Sequence, residues 1–194
     1  NKSDLVFSAK KIDGEEVVMF GMGAIKGAGD VAINSILKAR NEGGLFKDLG
    51  DFISRIDGSK VNKRAIESLT KAGFGYSRQS LLNQIEKIVE TVGKAAIAKK
   101  MATGSLFGDS DELTKIDIEL EHLPEFEAKE ILELEKASLG FYVSGHPLDE
   151  YREQLDKINY TLSSQIDELE DGSQALFVGK IENITERISK KGNK

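Results

Sequence analysis

The stretch Gly23-Ala24-Ile25-Lys26-Gly27-Ala28-Gly29 stands at the mouth of an apolar helix, Val31 to Ala39. Two glycines enclose one small apolar residue, with a lysine just before them. A turn of this kind leaves several backbone N–H groups unpaired at a helix start, where they can hold an anion. Phosphate is the natural guest, and the rest of the chain has to say whose phosphate it is.

Three readings compete for these residues. Gly27-Ala28-Gly29-Asp30-Val31-Ala32 satisfies the loose dinucleotide pattern G-x-G-x-x-A, but that fold needs alternating strands and helices. Here helix follows helix: apolar residues recur at helical spacing at Val31, Ile33, Ile36 and Leu37, then Leu49, Phe52, Ile53 and Ile56, then Ala65, Ile66, Leu69 and Ala72. A plain turn with capping glycines is the second reading. The third is a helix-hairpin-helix, in which the amides of the hairpin and the following helix grip a nucleic-acid phosphate without reading bases. Lys60-Val61-Asn62-Lys63-Arg64, also between two helices, reads as a degenerate second copy, and residues 57–78 carry five Lys/Arg against two acids. Asp30 and Ile33 depart from the motif, an acid where a neutral or basic residue helps and a bulky side chain where a small one is usual.

The net charge of −6 hides an uneven distribution. Residues 1–108 hold 17 Lys/Arg and 12 Asp/Glu, residues 109–135 hold 2 and 11, and residues 136–194 hold 8 and 10. One acidic segment sets the total, so the overall sign does not exclude a nucleic-acid partner. There is no cysteine, and the histidines, His122 and His146, stand far apart. A disulfide framework and a thiolate metal site are thereby excluded. The acids of 109–135 lack metal-loop spacing, and Ser105 has no base near it in sequence. His146, before Pro147, reads as a local helix cap. No run is apolar enough to cross a membrane and no signal-peptide pattern is present, so a cytoplasmic protein is expected. Both ends fall inside a pattern, which reads as a fragment of something larger.

The expected fold is mainly α with small β elements. Leu5 to Met22 contains Asp13-Gly14, a hairpin signal, between strands at about 5–10 and 16–20. After the three helices above, a longer one runs from about Ser77 to Met101, with Ala95, Ala96 and Ile97 continuing its apolar face. Ala102 to Leu123 reads as a linker, Pro124 opens a helix closed by Gly140, and His146-Pro147 restarts a short one. Residues 175–188 are β-rich. In the linker, the adjacent Leu106 and Phe107 cost solvation unless they find a pocket. They either fold back on the domain or dock in a partner as an extended peptide, and the Ser-Leu-Phe ending suits the pocket of a sliding clamp.

These segments together form a recognisable set. Phe20 to Gly29, Phe46-Lys-Asp-Leu-Gly-Asp-Phe52, Val61-Asn-Lys-Arg64, Leu139-Gly-Phe-Tyr-Val-Ser-Gly-His-Pro-Leu148 and the terminal Lys-Lys-Gly-Asn resemble the bacterial replicative DNA polymerase III alpha subunit family. The resemblance implies a tandem helix-hairpin-helix domain with an N-terminal β-hairpin over 1–101. It implies a linker with a clamp-binding motif over 102–123, a helical connector over 124–172 and the first strands of an OB-type barrel over 173–194. It places DNA-backbone contacts on Lys26, Gly27, Ala28, Gly29, Lys60, Asn62, Lys63 and Arg64, and clamp binding on Thr103, Gly104, Ser105, Leu106 and Phe107. Thr103 stands where the family usually has Gln. After Gly73 the family usually continues Ala-Phe-Asp, whereas this chain goes straight to Phe74-Gly75-Tyr76: the loop is shorter, or a loop is missing from the sequence.

The implied activity is that of a DNA-directed DNA polymerase, whose catalytic aspartates and magnesium ions belong to a palm outside this chain. No catalytic or metal-binding residue and no cofactor is therefore expected here. The expected partners are the double-stranded DNA backbone, a sliding clamp and other replicase subunits, with no membrane. The alternatives are a helix-hairpin-helix module of a DNA repair nuclease or ligase, which leaves Leu106-Phe107 unexplained, and a structural spacer without DNA contact.

Overall fold

Phe52, Ile33, Ile53, Ile56, Leu81 and Ile88 are almost wholly buried and mark the centre of a helical core. The computed structural model describes residues 2–12, 14–103 and 116–186. Contacts divide the chain into two units, 1–144 and 145–194.

The first unit opens with β1 (Ser8–Ile12) and β2 (Glu15–Met19), an antiparallel pair in the register Ser8↔Met19 to Ile12↔Glu15. The first strand begins later than its sequence suggests, because residues 4–6 are used elsewhere. Met22 N–H donates to Asp4 O (2.8 Å) and Gly23 N–H to Leu5 O (2.9 Å). A Cβ on Gly21 would lie 2.6 Å from the Val6 carbonyl carbon, and one on Gly23 2.9 Å from Leu5 O. The Gly-Met-Gly run is thus a close crossing of two backbone segments.

Five helices then build the core: α1 (Asp30–Gly43), α2 (Leu49–Arg55), α3 (Lys63–Lys71), α4 (Arg78–Asn83) and α5 (Ile85–Thr103). Side chains start three of them. Asp48, Asn62 and Ser77 accept from the amides of Asp51, Ala65 and Ser80, each satisfying an otherwise orphaned donor. The single long helix expected from Ser77 to Met101 is broken at Gln84 (φ −115°, ψ 18°). Its apolar face also ends early: Ile97 and Met101 are exposed. After α3, Gly73 (φ +95°) and Gly75 (φ +60°) reverse the chain within a few residues. Phe74 is thereby set against Phe52, ring centroids 5.0 Å apart.

The break at Gln84 has a partner. Residues 116–123, expected to be linker, form an extended strap on α4. Ser80 Oγ donates to Leu123 O (3.1 Å) and accepts from Leu123 N–H (2.8 Å). Gln84 Nε2 donates to Glu121 O (2.8 Å), and Gln84 Oε1 accepts from Glu121 N–H (2.8 Å). Positions four apart on a helix are separated by ~6 Å along its axis, and positions two apart on a strand by ~6.6 Å. Two side chains of one helix can therefore serve the strap as a neighbouring strand would. Ile116, Ile118 and Leu120 pack on the core while Asp117, Glu119 and Glu121 face outward. Charge count suggested a solvated spacer, whereas the period-two alternation Ile-Asp-Ile-Glu-Leu-Glu carried the true signal. Pro124 does not open the next helix; α6 spans Ala128–Leu139 and ends at Gly140 in the left-handed region.

The second unit contains α7 (Arg152–Leu155) between two 3-10 turns, Asp149–Tyr151 and Ser163–Glu168. His146 does not cap a helix: its Nδ1 accepts from Leu148 N–H at 3.2 Å and closes the turn before the first of these 3-10 segments, whose N-cap is Leu148 with no side-chain cap. Residues 173–186 pair with no strand among the described residues. A backbone bond from Thr161 N–H to Leu176 O, 2.8 Å, ties them to the segment before the second 3-10 turn. A β-rich pattern becomes a strand only when a neighbour supplies its ladder. Among the described residues no helix is long and apolar enough to cross a membrane.

Gly50 shows what the strap demands of α2. A Cβ there would lie 2.1 Å from Ile116 O. Gly50→Ala should lower the unfolding free energy by about 1–3 kcal/mol, as overpacking does. Gly93→Ala, in open space on α5, should raise it by about 0.5–1 kcal/mol. Urea midpoints of the two variants should therefore move in opposite directions.

Candidate nucleic-acid interface

The glycine turn before α1 faces solvent while its central residue faces in. Gly27 (φ +87°) and Gly29 (φ +77°) are exposed, whereas Ala28 is buried and its N–H donates to Ile25 O at 3.2 Å. Both glycines occupy the left-handed region that other residues rarely adopt. Gly29 is the N-cap of α1, and no side chain caps that first turn, which carries Asp30. Lys26 is exposed but its side chain lies along the end of α6, where a Cβ on Gly140 would sit 3.3 Å from Nζ, and its own N–H donates to Ser138 O of α6 at 2.8 Å. The hairpin is thus pinned from below by α6 and by the core, with its glycines outward.

The second turn is built differently. Asp57 organises it: its carboxylate accepts from Ser59 N–H (3.0 Å) and Ser59 Oγ (2.6 Å) and pairs with Lys60 Nζ at 3.0 Å. The Ser59 hydroxyl and Lys60 ammonium hold the Asp57 carboxyl down at about 2. Val61 is buried, and Gly58 admits α5 so closely that a Cβ would meet Val92 Cγ1 at 2.9 Å. Asn62 spends its side chain capping α3. Lys63 Nζ is bound by Glu86, which raises its pKa, with Glu67 at 3.9 Å. Of the cations expected to contact a backbone, Lys60 and Lys63 are already paired within the protein. Arg64 is exposed and leans on the first hairpin: a Cβ on Gly27 would lie 3.3 Å from its Nε.

Of the residues expected to bind a clamp, Thr103 is the last of α5, and Gly104, Ser105, Leu106 and Phe107 lie outside the described residues. Among the described residues no three Asp, Glu or His side chains gather as a metal site.

A buried ion pair supports the hairpin from behind, and charge counting did not reveal it. Glu135 of α6 is 1% exposed. It accepts from Val143 N–H (2.7 Å), Ser144 N–H (2.9 Å) and the Ser144 hydroxyl, and pairs with Arg78 at 3.1 Å. Arg78 also bonds Glu125, through Nη1 at 3.2 Å and through its backbone N–H at 3.0 Å. Burial pushes the Glu135 carboxyl up, but the Ser144 and Val143 donors and Arg78 outweigh it and hold the pKa below the ordinary 4.5. The only sequence hint was position: an acid on the inner face of an amphipathic helix, one turn before the Leu-Gly-Phe-Tyr-Val-Ser loop.

Turn, helix starts and the exposed glycine pair define a helix-hairpin-helix protein. The family model described as a helix-hairpin-helix motif matches residues 1–81. The chain is 42% identical over 197 residues to the DNA polymerase III subunit alpha of Campylobacter jejuni, covering 98% of this chain and 16% of that protein. It is 40% identical over 197 residues to that of Helicobacter pylori (97% and 16%). It is 36% identical over 194 residues to that of Aquifex aeolicus (100% and 15%). The chain belongs to the DNA polymerase III alpha-subunit family, and it spans about one sixth of the length of these relatives.

Glu135→Ala would leave the Arg78 guanidinium paired with Glu125 alone and orphan the Val143 and Ser144 donors. A loss of about 3–5 kcal/mol is expected from breaking a buried pair, read as a lowered urea midpoint. For the intact protein the folded pKa lies below the unfolded one, so the stabilisation is complete above about pH 4.5 and fades as pH falls through the folded value. Unfolding curves at pH 6 and pH 3.5 should show the larger drop in the parent, and a smaller one in Glu135→Gln.

Proposed function

We propose that this chain is the DNA- and clamp-binding region of a replicative polymerase alpha subunit. In this reading residues 1–101 serve as the tandem helix-hairpin-helix, and the β-rich sequence at 173–194 would open an OB-type barrel. The observation that carries the reading is the outward Gly27 and Gly29 around an inward Ala28, at the uncapped start of a 14-residue helix. Such a turn offers amides and helix-dipole charge to a phosphate oxygen and nothing to a base edge. It suits a protein that must hold any duplex behind the growing primer end. Thr103 to Phe107, read from sequence, would offer Leu106 and Phe107 to the pocket of a sliding clamp. Tethering through that peptide raises the effective concentration of the primer end and hence the processivity.

In this reading the intact subunit, with other replicase subunits, performs template-directed DNA synthesis in the cytoplasm. Its aspartates and magnesium ions lie in parts of the family's protein outside this chain. The residues here grip and position; none transfers a phosphoryl group. A spacer role is the second reading, favoured by the internal pairing of Lys60 with Asp57 and of Lys63 with Glu86.

Titration with mixed-sequence duplex DNA across salt separates the two. A gripping module should bind all sequences alike, with log affinity falling linearly against log salt at a slope near −1 to −2, as a few phosphate contacts give. A flat, negligible affinity leaves the spacer. In a separate titration with a sliding clamp, Phe107→Ala should weaken binding by about 2 kcal/mol or more, the scale of a lost aromatic anchor. Unchanged binding removes that site.

A further inference from the structure

Two side chains of α3 meet the first turn at Gly27. A Cβ built on this residue would lie 2.8 Å from Ser68 Oγ, 3.3 Å from Arg64 Nε and 3.8 Å from Arg64 Nη2. Ser68 is 8% exposed, and its hydroxyl has no hydrogen-bond partner among the described residues. Thr70 and Ser138, by contrast, bond the carbonyls one turn earlier; the Ser68 hydroxyl is not among the fully enclosed unpaired atoms, so it keeps a face open to a ligand. Arg64 is exposed and makes no ion pair among the described residues. By contrast Arg40, Arg55, Lys60, Lys63 and Arg78 all do. Beside this point lies the uncapped first turn of α1, with Asp30 on it. That carboxylate opposes an anion, so the helix start needs a cation brought from elsewhere.

We infer that the phosphate site is a composite of both hairpins. The turn at Gly27–Gly29 supplies the open backbone, and α3 of the second hairpin supplies Arg64 and the Ser68 hydroxyl. The second turn itself, residues 57–62, is a packing turn that does not touch the ligand. Arg64 gives a planar fork of donors suited to two phosphate oxygens, and Ser68 gives one more donor at the floor. Gly27 is required because any side chain there would fill the space between them. The inference deepens the proposed DNA-backbone reading and rests on it for the identity of the ligand, a phosphodiester.

The site and the reading can be tested apart. Inorganic phosphate titrated into the 194-residue chain at low ionic strength, followed by amide NMR, should shift Gly27, Gly29 and Ser68 and leave 57–62 in place. Arg64→Ala should abolish those shifts, Arg64→Lys should weaken them, and Ser68→Ala should reduce them with an unchanged urea midpoint. Lys60→Ala and Lys63→Ala should match the parent. With mixed-sequence duplex, Arg64→Ala should cost about tenfold in affinity and take about one unit off the salt slope. Absent shifts, shifts centred on 57–62, or shifts indifferent to Arg64→Ala overturn the composite site. Arg64-dependent phosphate shifts without duplex binding uphold the site and defeat only the nucleic-acid reading.

Discussion

The Glu135 carboxylate ties separate segments of the first unit to one another. It gathers Arg78 from the start of α4, the backbone of Val143 and Ser144, and through Arg78 the Glu125 carboxylate just past the strap. Those contacts fix α6, and α6 in turn presents Ser138 O to the Lys26 amide beneath the glycine turn. Burying an unpaired carboxylate would be prohibitive, so all its donors must be in place together. The consequence is a scaffold with little tolerance for partial assembly. The first hairpin is held because a helix more than a hundred residues later in sequence is held.

The two hairpins share a sequence logic and differ in what their side chains are free to do. The second uses Asp57, Asn62 and Lys63 to stabilise itself, and its glycine, Gly58, to receive α5. The first leaves its glycines in solvent. A pair of similar motifs has therefore divided the labour, one toward the core and one toward the outside. The same comparison explains why a basic count over 57–78 overstates the charge available there.

Much of this was legible before any coordinates. The helix faces of α1, α2 and α3, the β1–β2 hairpin, the glycine turn and the local turn at His146 all follow from short-range rules. These are spacing, left-handed glycine and capping chemistry, each complete within a few residues. What escaped depended on residues distant in sequence. The break at Gln84 exists because Glu121 bonds its side chain. The strap lay hidden in an acidic stretch whose composition spoke louder than its alternation. Ile97 continues an apolar face that has run out of partners. Glu135 looked like one acid among many until the loop at 141–144 folded back over it. The first glycine turn could be seen from its own residues, but the lean of Arg64 onto Gly27 needed tertiary structure.

The pairing of Ser80 with Leu123 and of Gln84 with Glu121 is a vernier: two rulers of different pitch that coincide at two marks. Because a helical rise and an extended rise agree over this short span and drift apart beyond it, only one alignment serves both side chains. Sliding the strap by a single residue would break both pairs and turn Ile116, Ile118 and Leu120 outward. Length changes upstream of Ile116 are thus absorbed without moving the register, whereas one inserted between Glu121 and Leu123 would unseat it. Evolution can lengthen the approach to the strap freely, and it must leave the two-residue interval alone.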